Sequence, residues 1–174
     1  MEYILHIIIM LSIYVILVLS ANLPVGMANM LTMCQAAFYG IGAYIGTFFL
    51  MQFNLPFIVL ALIVMVATGL FSLLVSFASV KLKDDYFILA TLGFQMIVYT
   101  ILYNWTDVTR GPYGIPGIPS IKLFGVLSLS GVWGYAALAI VLAILVSLLF
   151  NVIKRSPYGR VLKSMRYDEQ AVKA

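Results

Sequence analysis

Apolar residues run through this chain in long blocks, separated by short stretches rich in asparagine, glycine, proline or charge. Five blocks are long enough to cross a bilayer: Tyr3 to Leu23, Leu31 to Phe53, Leu55 to Val80, Tyr86 to Tyr103 and Gly131 to Ile153. A span takes about 20 mostly apolar residues, because roughly 30 Å of hydrocarbon is crossed at about 1.5 Å per helical residue. The blocks are continuous and lack the short alternating segments of a barrel strand, so helices are predicted. The fold class that follows is an all-α polytopic membrane protein with about five transmembrane helices.

The interruptions carry as much information as the blocks. Between Ser20 and Asn29, the residues Asn22, Pro24, Gly26 and Asn29 break what would otherwise be one apolar run. Proline withholds an amide hydrogen and glycine admits unusual backbone angles, so a broken or re-entrant segment is expected near residues 20–30. Such backbone at membrane depth survives only when buried in protein or lining a wet cavity. The alternative is an ordinary short turn between helices. From Asn104 to Gly125 the RGPYGIPGIP run, Arg110 to Pro119, forbids regular helix yet stiffens the chain, which predicts a compact structured cap. Trp105, Tyr113 and Trp133 flank it, as aromatic side chains do near a membrane interface. After the last block, Ser156 and Pro157 read as N-cap and first helical residue. Val161, Leu162, Met165 and Val172 then recur at helical spacing among Arg160, Lys163, Arg166 and Lys173, which predicts an amphipathic helix suited to lipid headgroups or to a groove in a partner.

Composition agrees with a membrane solvent: 64% of the residues are hydrophobic, 9% are charged, and the mean hydropathy is +1.10. A soluble domain is roughly half apolar and a quarter charged. The net charge of +4 does not point to nucleic acid, because the basic residues collect at span ends. Lys81 and Lys83 follow the third block, and Lys154, Arg155, Arg160, Lys163, Arg166 and Lys173 follow the fifth. The positive-inside rule makes both stretches cytoplasmic and, by alternation, puts the N-terminus outside. Glu2 stands where a cleavable signal would carry basic residues, so the first block is kept as a helix. Residues 1–153 then form one transmembrane domain and residues 154–174 a cytoplasmic segment.

No block carries Asp, Glu, Lys or Arg in its middle, which excludes the usual proton relays, ion transporters and voltage sensors. A single histidine, His6, and a single cysteine, Cys34, assemble neither a catalytic constellation nor a metal site, so no enzyme chemistry is expected. The polar residues inside the spans are uncharged. Thr32, Gln35 and Tyr39 fall at i, i+3 and i+7, and Thr91 and Gln95 at i and i+4, so each set shares a helix face. Two readings stand: hydrogen bonds between helices, worth on the order of 1 kcal/mol each, or the wall of a path for a neutral or zwitterionic solute. Ala36 with Gly40 and Gly42 with Gly46 let the second span approach a neighbour closely. Asp84 and Asp85 read as N-cap and first-turn acids of the fourth span.

Four stretches also resemble, in order, a known family. QAAFYGIGAY (Gln35 to Tyr44), LKDDYFILATLGF (Leu82 to Phe94), NWTDVTRGPYGIPGIP (Asn104 to Pro119) and SPYGRVLKSMRYDEQA (Ser156 to Ala171) are similar to the permease subunits of bacterial ABC importers for branched-chain amino acids, of the LivM type, with urea and amide relatives. The resemblance implies a multi-pass protein of the bacterial inner membrane. It implies a second permease subunit, two cytoplasmic ATPases that bind ATP and magnesium, and a periplasmic substrate-binding protein as partners, with no cofactor in this chain. It also implies that Arg160, Asp168, Glu169 and Ala171 begin the motif that couples to the ATPase, and that the sequence is the N-terminal part of a longer permease. Met27, Asn29, Thr32 and Cys34 depart from a stretch that is richer in Gly and Ser in the family, and Gln95 and Met96 replace a common Gly and Glu, so the solute stays open. Beside this stand a structural membrane subunit of a respiratory or redox complex, and a passive channel for a neutral solute.

Overall fold

The computed structural model describes residues 2–79, 82, 84–121 and 131–165. Its long elements are α1 (Glu2–Asn22), a π-turn (Leu23–Met27), α2 (Gln35–Phe53), α3 (Phe57–Ser79), α4 (Asp84–Asn104) and α6 (Val132–Arg155). Shorter ones are α5 (Thr106–Thr109), a 3-10 turn (Gly111–Tyr113) and α7 (Pro157–Met165). Five helices are long and apolar enough to cross a membrane, and no strand occurs among the described residues. The chain divides into two compact units, one from Met1–Leu31 and Ser130–Ala174, the other from Thr32–Leu129.

In the first unit α1 packs along α6, and Leu5 and Ser12 of α1 and Ala136 and Ala139 of α6 are buried. The break expected near residues 20–30 is a π-turn followed by non-helical chain, and it reaches further along the sequence than the prolines and glycines alone indicate. Pro24 has no N–H to offer the carbonyl four residues back and its ring would press on that carbonyl, so the turn widens instead of ending. Asn29 adopts the left-handed conformation, φ 57°, and the Met30 N–H closes the helix on the Pro24 carbonyl at 3.0 Å. That bond spans one residue more than the usual six-to-one closure of a helix end, in keeping with the wider turn.

The second unit is organised around α2, which packs on both α3 and α4. A Cβ added at Gly42 would lie 3.4 Å from Thr68 and Val64, and one at Gly46 3.4 Å from Val64, so this glycine pair seats α3. Gly40 faces the other way, where a Cβ would lie 3.1 Å from Leu102 of α4. The small-residue pattern therefore serves two neighbours at once. Ala37, Ile41 and Val98 form the buried centre, with Ile45, Phe94 and Leu102 against it.

The starts of the second, third and fourth spans differ from the sequence reading. The second span starts at Gln35, not Leu31, and the non-helical residues before it are held by threonine hydroxyls: Met33 donates to Thr91 Oγ1 (3.2 Å) and Cys34 to Thr32 Oγ1 (3.5 Å). Cys34 is accordingly the buried residue before α2 and not a residue within it. The third span starts at Phe57, because Asn54 in left-handed conformation (φ 47°) ends α2 with its N–H on the Leu50 carbonyl at 3.1 Å. Helix α4 begins at Asp84 itself, so both aspartates lie in its first turn, where acids complement the helix dipole.

The chain after α4 is knotted by one side chain. Thr109 is 3% exposed, its hydroxyl lies 2.6 Å from the Leu102 carbonyl and 2.8 Å from the Trp105 carbonyl, and it accepts the Gly111 N–H at 3.2 Å. Gly111 is required at its position: φ is 54°, and a Cβ would sit 2.6 Å from the Tyr103 carbonyl oxygen. The structured cap predicted for this stretch is seen from Trp105 to Gly114, residues 115–121 run on as irregular chain, and residues 122–125 lie outside the described residues.

Candidate functional site

Hydroxyl groups in the spans mostly bond back to their own helix. Ser12, Thr47, Thr68, Thr100 and Ser147 each donate to the carbonyl four residues earlier, at 2.6–2.8 Å. Such bonds satisfy a hydroxyl locally, so a Ser or Thr in a span is not by itself evidence of a path or of a bond between helices.

The sequence-selected residues are drawn together only in part. Thr32 lies before α2 in the extended segment, its Oγ1 3.0 Å from Cys34 Sγ, so it does not share a helix face with Gln35 and Tyr39. The i, i+3, i+7 reading fails for Thr32 because helical spacing has no meaning outside the helix. Gln35 is the first residue of α2 and half-buried, and Tyr39 one turn later is 50% exposed. Thr91 is the most deeply buried side chain described, 1% exposed, donating to the Ile88 carbonyl at 2.9 Å while accepting the Met33 N–H. Its hydroxyl is fully occupied in tying the extended segment to α4.

Gln95, one turn further along α4, opens into a cleft of about 330 Å³ between α2 and α4. Ala36, Ala37 and Gly40 supply its α2 wall, and Gln95, Tyr99 and Leu102 its α4 wall. The α4 residues fall at i, i+4 and i+7, one helix stripe, and the α2 residues are small enough to leave space opposite it. No charged residue lines this cleft, and among the described residues the Gln95 amide makes no hydrogen bond. Chemically it is an apolar slot with one amide and the edge of a tyrosine stacked on Tyr103, ring centroids 5.7 Å apart. It suits a small solute with a hydrocarbon portion and a neutral hydrogen-bonding group. Tyr99 escaped the sequence reading; its signal was its place one turn after Gln95.

At the end of α6, Ser156 and Pro157 behave as predicted. The Ser156 hydroxyl accepts the Gly159 N–H at 3.3 Å, an N-cap bond, and Pro157 opens α7. Arg160 is exposed on α7, as are Tyr158 (80%) and Val161 (47%), which lie three residues apart on one face. Asp168, Glu169, Ala171 and Val172 lie outside the described residues.

Comparison with known proteins gives this arrangement a context. The family model for the branched-chain amino acid transport system / permease component matches residues 3–174. The chain belongs to that family. It is 33% identical over 192 residues to the high-affinity branched-chain amino acid transport system permease protein LivM of Salmonella typhimurium, covering 95% of this chain and 44% of that protein. The corresponding protein of Escherichia coli is 32% identical over 186 residues, covering 93% and 43%. A probable branched-chain amino acid transport permease protein LivM of Methanocaldococcus jannaschii is 36% identical over 96 residues, covering 55% and 27%. The chain thus spans less than half the length of each of these relatives. No solved structure is significantly similar to it. Family membership and five apolar helices together make this permease-family chain a multi-pass membrane protein.

Proposed function

We propose that this chain supplies membrane helices of a permease subunit in an ATP-driven importer for branched-chain amino acids or related small zwitterionic or neutral solutes. The family match over residues 3–174 is the observation that carries the reading. The uncharged spans and the apolar slot with its single amide support it, because a branched-chain amino acid offers a hydrocarbon side chain and no net charge. In this reading Gln95 borders the path, with Gln35 and Tyr39 on α2 as further candidates, while Thr32 and Thr91 hold the backbone beside it. Residues 1–153 belong to the membrane domain and 154–174 to a cytoplasmic coupling segment. ATP hydrolysis belongs to two cytoplasmic ATPase subunits, the pathway is shared with a second permease subunit, and a periplasmic binding protein delivers the solute. The protein sits in the bacterial inner membrane with its N-terminus outside, as the basic residues beyond α3 and α6 favour.

The docking surface is the exposed face of α7 with the tail beyond it: Tyr158 and Val161 offer apolar contacts, Arg160, Asp168 and Glu169 charged ones, and Ala171 a small apolar one. Glu169→Lys in the full-length permease reverses one of those charges. Purification of the assembled complex is expected to lose the ATPase subunits from this variant while the permease remains in the membrane. Unchanged copurification and unchanged uptake would refute the docking role.

A further inference from the structure

The joint between α6 and α7 has almost no freedom. Ser156 sits in extended conformation, ψ 162°, with its N–H on the Val152 and Ile153 carbonyls at 3.0 and 3.1 Å. Its hydroxyl donates to the Ile153 carbonyl at 2.6 Å and caps α7 through the Gly159 N–H. One residue therefore closes one helix and opens the next. Gly159 is buried against the same carbonyl end: a Cβ there would fall on the Ile153 oxygen and come within 2.7 Å of the Lys154 oxygen, both backbone atoms. Backbone rests on backbone, with no side chain between them to absorb a displacement.

Helix α7 has a second contact within the same unit, on the π-turn Leu23–Met27 of α1. This is the turn of α1 with the least internal restraint. Pro24 gives no N–H, and an i→i+5 turn is a rare bulge in the regular ladder. A Cβ at Gly26 would fall on the Asn22 side-chain oxygen and meet no backbone outside its own helix, so no close backbone packing of the kind seen at Gly159 braces this turn. Kinks and bends concentrate where the ladder is interrupted in this way.

We infer that α7 is a lever with two bearings, the Ser156–Gly159 elbow on α6 and the π-turn on α1, and that Gly159 and Pro24 are positioning residues for coupling. A push on α7 moves the end of α6 as a rigid body and is taken up in α1 by its one compliant turn. The inference rests on the ATP-driven reading and deepens it by naming where the motion enters the membrane helices.

The test uses the full-length permease assembled with its partner subunits in proteoliposomes, and reads solute moved per ATP hydrolysed together with the ATPase copurified. Pro24→Ala returns the missing N–H and lets the turn become regular; Gly159→Ala forces α7 off the α6 carbonyls. Both variants are expected to keep the ATPase subunits and the basal hydrolysis rate, while the transport-to-hydrolysis ratio falls at least about fivefold, the lower end of typical coupling between sites. A role in folding alone would change yield and leave that ratio untouched. A normal ratio in either assembled variant overturns the inference, and so does loss of the ATPase from Gly159→Ala, which would make the elbow part of the docking surface. Should Gly159→Ala fail to insert, Pro24→Ala decides alone. Absence of ATP-dependent uptake by the wild-type complex would instead sink the importer reading itself.

Discussion

Two stretches of this chain leave helical geometry, and they are held in opposite ways. After α4, residues 105–121 carry two consecutive left-handed residues, Arg110 and Gly111, and a single threonine hydroxyl that engages three backbone groups between Leu102 and Gly111. Every one of those bonds is local, so the cap is complete within its own sequence. Between Ala28 and Cys34 the chain also carries a left-handed residue, Asn29, but its restraints are one wide bond from Met30 to Pro24 and the pair Thr32–Cys34. Its remaining tie reaches across 58 positions, from the Met33 N–H to Thr91 of α4. A stiff turn outside the spans can supply its own partners. Irregular backbone next to a span borrows them from another helix, so its geometry is coupled to how that helix is packed.

The comparison can be broken at either stretch. The largest effect is expected from Gly111→Ala in the cap, where a left-handed backbone and a collision with the Tyr103 carbonyl combine to cost about 3 kcal/mol of stability in detergent unfolding. Thr109→Val removes the hydroxyl from three backbone groups at a buried site and is expected to cost about 2 kcal/mol in the same assay. Thr91→Val strands only the Met33 N–H and should cost about 1 kcal/mol, with Thr91→Ser close to neutral, since hydrogen bonds of this kind in membrane helices are weak. An unfolding series in which Thr91→Val outweighs Thr109→Val would show that the borrowed tie, and not the local knot, is the stronger restraint.

Which parts were legible in the sequence follows the same division between local and distant causes. The five spans were readable because length and apolarity alone decide them, and the Ser156–Pro157 start of α7 because an N-cap is a bond within four residues. The pairing of Gly42 and Gly46 with a neighbour was visible as spacing, though nothing in the spacing said that Gly40 would turn to a different helix from them. Thr32 was misplaced because Leu31 to Cys34 are as hydrophobic as a helix, and hydropathy cannot register that two threonine hydroxyls take the amides of Met33 and Cys34. Thr109 was invisible for a related reason: its role depends on carbonyls brought beside it by the fold of α5. In the candidate site, Gln95 stood out as a polar residue four positions after Thr91 in an apolar span, whereas Tyr99 became recognisable only once α2 was seen to present Ala36 and Gly40 opposite it.

The central claim is that these helices belong to a solute path driven by a partner's ATP hydrolysis. It is tested most directly by uptake of a radiolabelled branched-chain amino acid into proteoliposomes holding the full-length permease, its second permease subunit and the ATPases, with the binding protein supplied. The account predicts uptake that requires both ATP and the binding protein. Rapid uptake in the absence of the ATPases, or uptake indifferent to ATP, would contradict it.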